Sequence, residues 1–194
     1  KFKKYCIILE PIKKNTAAAI ALATINNAAS LPTIIFPSDH LIENKKKFND
    51  MLKKNIRFIC KKKYFNKKDI FIFGIKPKNP SDQYGYFLSR KKPPGTKRIS
   101  KFIEKPKIFK AKKIIKMGAH WNSGIFFGSV EAFYNSFLKH DPYTWSFCSE
   151  SIINSKVLGN NKSKTIIKID KKKFNKVKGN SFDYAILEKY KNVN

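Results

Sequence analysis

The feature of this 194-residue sequence that most constrains its fold is an alternation of short apolar runs with longer segments of helical spacing. Cys6–Leu9, Thr33–Phe36 and Ile70–Ile75 are continuous apolar runs of strand length, typical of buried strands. Between them, Asn15–Ala29 is alanine-rich and Phe48–Tyr64 has apolar residues at helical spacing, so both are predicted to be helices. This order predicts an α/β fold with helices on the faces of a sheet.

The second half of the sequence continues the alternation. Asp141 and Pro142 are residues that open helices, Ser181 is a residue that caps them, and the polar stretch Gly159–Lys164 is predicted to be a surface loop. No internal repeat or boundary is visible, so residues 1–194 are predicted to form a single domain. Strands are predicted at Tyr84–Leu88, Ile99–Glu104 and Gly124–Phe127, and helices at Ile108–Met117, Glu131–His140, Asp141–Leu158 and Ser181–Tyr190.

The charge of the chain allows two interpretations. Its 42 Lys and Arg against 13 Asp and Glu give a net charge of +29, which is typical of a nucleic-acid-binding protein. Only Arg57, Arg90 and Arg98 are arginines, however, and the lysines are scattered instead of forming one stripe. Lys, Asn, Ile and Phe, all abundant here, have AT-rich codons, so we favour genome-wide drift in composition. Unrelated proteins of the same genome should then be equally lysine-rich. Nucleic-acid binding remains the alternative, and salt-dependent binding to a duplex or single strand would test it.

Other classes of protein are disfavoured by composition. No apolar run reaches the roughly 18 residues of a membrane span, and the longest candidate, Ala17–Ala29, contains Thr24 and two asparagines. No secretory leader is recognisable in the 194 residues. Cys6, Cys60 and Cys148 are scattered and predict neither a disulfide framework nor a zinc site. We therefore expect a cytoplasmic protein that does not associate with membranes.

Polar and charged residues follow several predicted strands, where α/β sheets bind their ligands. Glu10-Pro11 follows the first strand, Pro37–His40 the second, and Glu104–Pro106 the strand that begins at Ile99. Trp121–Gly124 stands at the start of another strand. The sequence therefore predicts a ligand site at this edge of the sheet.

Taken in order, these segments resemble the sugar-nucleotide pyrophosphorylases, and among them the mannose-1-phosphate guanylyltransferase (GDP-mannose pyrophosphorylase) family. No single block is specific, but six blocks in the family's order extend over nearly the whole chain. The blocks are Glu10–Ala23 (similar to EPxxRNTAPAIALA), Pro37–His40 (PADH), Phe73–Pro77 with Tyr84–Tyr86 (FGIxP…GYGY), Phe102–Pro106 (FVEKP), Trp121–Phe126 (WNSGMF) and Ser181–Lys189 (SIDYAVMEK).

The resemblance implies a fold, a reaction and a cofactor. The fold is the Rossmann-like one of nucleotide-diphospho-sugar transferases, with three layers (α/β/α) around a mixed, mostly parallel sheet. The reaction joins mannose 1-phosphate to GTP and releases GDP-mannose and pyrophosphate, with Mg²⁺ as cofactor. Because both substrates are anionic, such a protein has to position them and neutralise their charge.

On the nucleotide side, the resemblance assigns four residues. Glu10 would read the base, because its two oxygens suit the adjacent N1–H and N2–H donors of guanine. Asn15 and Thr16 stand at a helix start whose free backbone N–H groups suit the base or phosphates, although they could simply cap the helix. Asp39 would be a catalytic residue as the ligand of Mg²⁺. His40 is expected to be structural.

On the sugar side, Lys105 would be catalytic by neutralising the sugar phosphate, and Glu104 would accept hydrogen bonds from sugar hydroxyls. Gly85 would let the backbone approach the sugar, unless it is only a turn glycine. Asn122 would contact hydroxyls, and Asp183 is expected either to bind substrate or to cap a helix. A neighbouring tryptophan of the same block is expected to be part of the core.

Departures from the family pattern temper this assignment. The 194 residues contain neither the family's GGxGxRLxPLS loop nor its WxDVGSW segment, so we expect an internal fragment with little or no activity by itself. Lys14, Ala18 and Gln83 replace a family arginine, proline and glycine. Another sugar-1-phosphate nucleotidyltransferase, and a decayed remnant or non-catalytic subunit, remain alternatives. The sequence also leaves open whether the chain forms a homo-oligomer.

Overall fold

A computed structural model describes residues 4–60, 69–92 and 96–189. Among these residues, no helix is long and apolar enough to cross a membrane. In chain order the elements are β1 (Tyr5–Leu9), α1 (Asn15–Ile25), β2 (Pro32–Ile35), α2 (Lys45–Ile59), β3 (Phe71–Ile75), β4 (Tyr86–Lys92), β5 (Thr96–Ile103), α3 (Ile108–Lys116), β6 (His120–Ser129), α4 (Val130–His140), α5 (Pro142–Ile153), β7 (Lys156–Asn160), β8 (Lys164–Lys168), α6 (Lys171–Phe174) and a π-helical turn (Asp183–Leu187).

The ten-residue strand β6 organises the larger of two sheets. Strand β3 pairs along most of it, β2 pairs with its last four residues, and β4 pairs with His120 and Trp121 near its start. Strand β5 pairs in turn with β4. The middle of β6, residues 122–125, is therefore paired with neither β2 nor β4, and its backbone and side chains can face a cavity there.

A mixed sheet is present, as predicted, but it is the smaller of the two, and the described strand pairs are less parallel than the sequence suggested. Among the described pairs, β1 with β8 is parallel, whereas all pairs of the larger sheet and the pair of β7 with β8 are antiparallel. Two of the antiparallel pairs have a direct physical reason, because β5 follows β4 and β8 follows β7 without an intervening helix. A short connection allows antiparallel pairing, whereas parallel strands need a crossover.

Helices cover both faces of the larger sheet, which gives the three predicted layers. On β4, Phe87 packs into the main cluster with α1, α4, α5 and the π-helical turn, while its neighbour Tyr86 packs with α3 on the opposite side. On β6, Phe126 and Phe127 separate in the same way, and Phe127 packs towards α2. Neighbouring strand residues point to opposite faces, so each strand contributes to two clusters.

Strand β1 forms where the sequence predicted it but is not buried. Ile7 and Leu9 are 37% and 42% exposed, and Ile8 is the residue of this strand that packs against the main cluster. The physical reason is that β1 is an edge strand among the described residues, paired with β8 alone. Its apolar run therefore predicted the strand correctly and its burial wrongly.

Two predicted helices are longer than those observed. Helix α1 ends at Ile25 and not at Ala29. Helix α5 ends at Ile153, so the helix predicted to reach Leu158 is too long, and the surface loop predicted at Gly159–Lys164 is confined to residues 161–163. A β-hairpin forms there instead, because the Asn161 side chain accepts hydrogen bonds from the Ser163 and Lys164 N–H groups and closes the turn.

The side chains predicted to cap helices at Asp141 and Ser181 both accept backbone hydrogen bonds, although the helix after Ser181 differs from the predicted one. The Asp141 carboxylate accepts from the Thr144 N–H at the start of α5. The last predicted helix is a short π-helical turn that begins after Ser181, whose hydroxyl accepts from the Tyr184 N–H. The predictions for Tyr64 and Tyr190, the last residues of two predicted helices, lie outside the described residues.

A ring cluster beneath the π-helical turn offers a test of the fold. Phe182 is fully buried and its ring lies 5.1 to 6.0 Å from those of Phe126, Phe133 and Phe137. We expect Phe182→Ala to lower the free energy of unfolding by about 3–5 kcal/mol in chemical denaturation, because a cavity replaces the ring. Tyr184→Ala in the same turn is the control, since Tyr184 is 55% exposed and its loss should cost less than about 1 kcal/mol. Equal losses in both variants would contradict this packing.

Candidate functional site

A cavity of about 780 Å³ opens beside residues 122–125 of β6, within the size range of small-ligand sites. Its walls come from the ends of β2, β3 and β5, the start of β4, helix α2 and the segment that leads into the π-helical turn. The residues that line it are Thr16, Asp39, His40, Leu41, Ile42, Phe48, Met51, Phe73, Gly74, Ile75, Gln83, Tyr84, Gly85, Glu104, Lys105, Trp121, Asn122, Ser123, Gly124, Ile125, Ser181 and Asp183.

Glu104 and Lys105 stand where β5 ends, as the sequence predicted, and both line the cavity. Lys105 has a φ of 42°, in the left-handed region that non-glycine residues seldom adopt. Adjacent strand residues normally point to opposite faces, and this departure from strand geometry lets both side chains reach one cavity. Unusual backbone of this kind is frequent at functional sites.

Gly85 makes room for Glu104. A Cβ at position 85 would lie 2.6 Å from Glu104 Oε2 and 2.9 Å from the ring of Phe102, closer than atoms can pack. The Gly85 carbonyl also accepts a 2.8 Å hydrogen bond from the Asn122 N–H. Because glycine has no side chain, position 85 leaves room for the Glu104 carboxyl. This role is separate from the predicted approach of the Gly85 backbone to a ligand.

Asn122 connects β6 to the π-helical turn. Its side-chain amide donates to Asp183 Oδ1, and its own Oδ1 accepts a 3.0 Å hydrogen bond from the Gly124 N–H. Gly124 itself has a φ of 68°, which suits glycine. Because both polar ends of the Asn122 side chain have partners in the protein, its visible role is to hold Asp183 in place. Contact with hydroxyls stays a prediction.

Burial raises the pKa of both carboxyls in the cavity. For Glu104, burial is the main cause and the neighbouring negative charge of Asp183 adds to it, and together they raise the pKa from 4.5 to about 7. For Asp183, burial raises the pKa from 3.8 to about 6, against the opposing effects of hydrogen bonds, including that from Asn122, and of the Lys105 charge. Two perturbed carboxyls beside a lysine in one cavity are the electrostatic pattern of a functional site.

Asp39 also lines the cavity, from the loop after β2, and its side chain is exposed. Among the described residues, no three His, Cys, Asp or Glu side chains are grouped so that they could hold a metal by themselves. Mg²⁺ is usually bound by one or two carboxylates together with substrate phosphates and waters. A single hard carboxylate at the cavity fits that manner of binding.

The remaining predicted nucleotide residues are less exposed to the cavity. Thr16 lines it, whereas Glu10 and Asn15 do not. Glu10 has a buried Oε1 without a hydrogen-bond partner among the described residues, and burial raises its pKa. The roles of these three residues stay predictions.

The helix start at Asn15 does not offer the free N–H groups that were expected. The Thr16 N–H donates to the Asn15 side chain, and the Ala17 N–H donates to the Asn180 carbonyl. Lys14, in place of the family's arginine, donates to the carbonyl of Asn175. The backbone at the start of α1 is thus engaged within the protein at these positions.

An aromatic and apolar wall was not predicted as part of the site. Trp121 packs against the cluster beneath α3, as the sequence predicted, but it also lines the cavity, where its ring lies 4.9 Å from that of Tyr84. Phe48 and Met51 of α2 contribute further apolar surface. His40, expected to be structural, also lines the cavity. The signal that could have found Trp121 and Tyr84 is their position next to Asn122 and Gly85.

The chain is similar in sequence to several known proteins. Residues 1–165 match the nucleotidyl transferase family. The chain is 30% identical to a mannose-1-phosphate guanylyltransferase of Escherichia coli, over 96% of this chain and 40% of that protein. It is also 30% identical to the alginate biosynthesis protein AlgA of Pseudomonas syringae pv. tomato, over 94% of this chain and 37% of that protein. The chain therefore spans about two fifths of the length of these relatives.

Two solved structures share the fold. A Helicobacter pylori protein described as a mannose-6-phosphate isomerase superposes with a TM-score of 0.84 and 27% identity, over 98% of this chain and 70% of that one. A Thermus thermophilus protein described as a mannose-1-phosphate geranyltransferase superposes with a TM-score of 0.73 and 22% identity, over 95% of this chain and 50% of that one. The predicted α/β nucleotidyltransferase-type fold is confirmed.

The raised pKa values predict a pH dependence of stability. A carboxyl whose pKa is raised by folding binds protons more tightly in the folded state, so its contribution to stability falls as pH rises from the unfolded pKa to the folded one. For Glu104 this range runs from 4.5 to about 7, and for Asp183 from 3.8 to about 6.

We therefore expect Asp183→Asn to flatten the decline in the free energy of unfolding between about pH 4 and about pH 7, because the substitution removes one raised carboxyl and one charge that acts on Glu104. His140, whose pKa is lowered by burial and by Lys139 and Lys189, acts in the opposite direction but equally in both proteins. Denaturation at a series of pH values measures the difference. Parallel curves for the two proteins would contradict the raised carboxyl pKa values.

Proposed function

The chain belongs to the nucleotidyl transferase family, as a sugar-nucleotide pyrophosphorylase, and from this we propose that its cavity binds the sugar phosphate used by a mannose-1-phosphate guanylyltransferase. The observation that carries the proposal is the convergence of five predicted sugar-side residues on one cavity of suitable size. These residues are Gly85, Glu104, Lys105, Asn122 and Asp183.

The proposed reaction is a nucleotidyl transfer. A phosphate oxygen of mannose 1-phosphate attacks the α-phosphorus of GTP, a new P–O bond forms, and the bond to the departing pyrophosphate breaks. The products are GDP-mannose and pyrophosphate. Because little covalent chemistry falls to the protein, its contribution is to hold two anionic substrates in line and to offset their charge.

Lys105 would carry the main electrostatic role at the sugar end. It lines the cavity beside Glu104, and its ammonium would sit near the phosphate of the bound sugar. The polar groups of Glu104 and Asp183 would bind hydroxyls, and the Trp121–Tyr84 wall offers an apolar face against which the C–H face of a sugar ring can pack. A cavity with a few polar groups and an apolar wall is typical of small-ligand sites.

We propose that the nucleotide and the metal bind at the part of the cavity that Asp39 lines. Asp39 would hold Mg²⁺ together with substrate phosphates, and a bound Mg²⁺ would supply charge neutralisation for those phosphates. Glu10, Asn15 and Thr16 are the residues proposed to lie towards the base and phosphates of GTP. The Helicobacter pylori protein is named as a mannose-6-phosphate isomerase, so isomerisation of a mannose phosphate is a second candidate activity. Tighter binding of mannose 6-phosphate than of mannose 1-phosphate would favour it.

We expect the chain to bind mannose 1-phosphate in isothermal titration calorimetry, and Lys105→Met to weaken this binding by about tenfold or more, because a charge-assisted hydrogen bond to phosphate is lost. Lys101→Met is the matched control. It removes the same charge from β5 nearby, but Lys101 is exposed and does not line the cavity. In a chain with a net charge of +29, this comparison separates specific binding from general attraction of anions.

Glucose 1-phosphate and mannose 6-phosphate complete the panel, since they change the sugar and the position of the phosphate respectively. Tighter binding of either would replace mannose 1-phosphate as the proposed ligand. Equal effects of the two lysine substitutions, or no binding of any sugar phosphate, would contradict the proposal.

A further inference from the structure

The two carboxyls of the cavity differ in the hydrogen bonds that they receive. Asp183 accepts a hydrogen bond from the Asn122 side chain and another from its own backbone N–H. Glu104 has an Oε2 that is buried and without a hydrogen-bond partner among the described residues. Donors stabilise a carboxylate, whereas a buried carboxyl oxygen without donors is far less costly when the group is neutral.

The charges around Glu104 act in the same direction as its burial. Asp183 and Glu188 from the π-helical turn and its end both disfavour a negative charge on Glu104, and Lys105 is the charge that favours it. Burial together with the two acids outweighs the lysine and raises the pKa of Glu104 to about 7, while burial raises that of Asp183 to about 6 against the effect of its hydrogen bonds. The pair titrates as a coupled unit, and the hydrogen bonds indicate which member loses its proton first.

We propose that near neutral pH Glu104 is the protonated member of a Glu104–Asp183 pair and acts as a hydrogen-bond donor to the sugar phosphate. The inference rests on the proposed function for the ligand, and it reverses the acceptor role that the sequence suggested for Glu104. Asp183, held ionised, would be the acceptor. The cavity then offers a donor on Glu104, a negative charge on Asp183 and the positive charge of Lys105. If both acids were ionised, it would instead carry two negative charges beside Lys105.

Asn122 becomes a positioning residue in this arrangement. Its amide stabilises the negative charge on Asp183, and its backbone N–H holds the Gly85 carbonyl next to the space that Glu104 occupies. The negative charge on Asp183 in turn favours the proton on Glu104.

A consequence for binding follows from electrostatics. A sugar phosphate is an anion, so each carboxylate in the cavity opposes its entry, and a neutral Glu104 removes one of these repulsions. Binding of the ligand is therefore coupled to a proton on Glu104. Affinity should fall as pH rises through the pKa of this group, by about tenfold for each pH unit above it.

The first test needs no ligand. Carboxyl ¹³C NMR titration of the wild-type chain, with Glu104→Gln and Asp183→Asn used only to assign signals, measures which group binds its proton more tightly. We expect Glu104 to titrate at the higher pH. Titration of Glu104 below Asp183 overturns the inference, whatever the protein binds.

The second test compares mannose 1-phosphate affinity in the wild-type protein and in Glu104→Gln at about pH 6 and about pH 8. Glutamine keeps a donor at every pH, so we expect the variant to bind about tenfold more tightly than the wild type at pH 8. The ligand's own phosphate also titrates near pH 6, but it does so equally for both proteins. Glu131→Gln, the same change on α4 and away from the cavity, should follow the wild type at both pH values.

Weaker binding by Glu104→Gln at both pH values, in a variant with wild-type circular dichroism, would mean that Glu104 acts as a carboxylate acceptor and would overturn the inference. Absence of mannose 1-phosphate binding by the wild type at either pH is a different failure. It removes the proposed function, and the ligand-free titration then decides the protonation state alone.

Discussion

The arrangement of this protein depends on how strand β6 is paired. Ten residues long, it holds β3 along most of its length but shares its remaining pairing between β4 at one end and β2 at the other. Between the parts that pair with β4 and β2, residues Asn122–Ile125 pair with neither of these strands, and all four residues line the cavity. The same pairing that builds the sheet therefore leaves room for the site.

Burial of charge is the second constraint. The cavity brings Glu104 and Asp183 near each other and near Lys105, and burial raises the pKa of both acids. Groups of this kind reduce stability at neutral pH, so their presence needs another reason, and the proposed contacts with the hydroxyls of a sugar provide one. The left-handed backbone of Lys105 and the π-helical turn at Asp183 are local irregularities of the same site.

Much of this could be predicted from the sequence, and the limits have physical reasons. Strands such as β1 and β3 were predictable because each is a continuous apolar run, and the EKP and WNSG blocks located the carboxyl, lysine and amide that meet in the cavity. The hairpin after α5 was missed because its turn depends on the side chain of Asn161, a contact that apolar periodicity does not record. The Ala17 N–H donates to the carbonyl of Asn180, far along the chain, and only folding brings these two groups together.

The aromatic wall formed by Trp121 and Tyr84 also depends on contacts that the sequence pattern does not reveal. Trp121 and Tyr84 are distant in sequence and meet only because β4 pairs with the first residues of β6. The sequence predicted that Trp121 is part of the core, because the large apolar ring of a tryptophan is usually well buried. The register in which two strands pair decides whether such a residue faces a cavity, and this register could not be read from the apolar pattern.

The most direct test of the central claim, that this cavity is a sugar-phosphate site, is a map of ligand-induced shifts in the ¹H–¹⁵N spectrum of the chain with added mannose 1-phosphate. The account predicts saturable shifts concentrated at the amides of Gly85, Lys105, Asn122 and Asp183, with inorganic phosphate alone producing only part of them. Shifts spread over the exposed lysines, with these four amides unmoved, would contradict it and indicate general attraction of an anion to a basic surface.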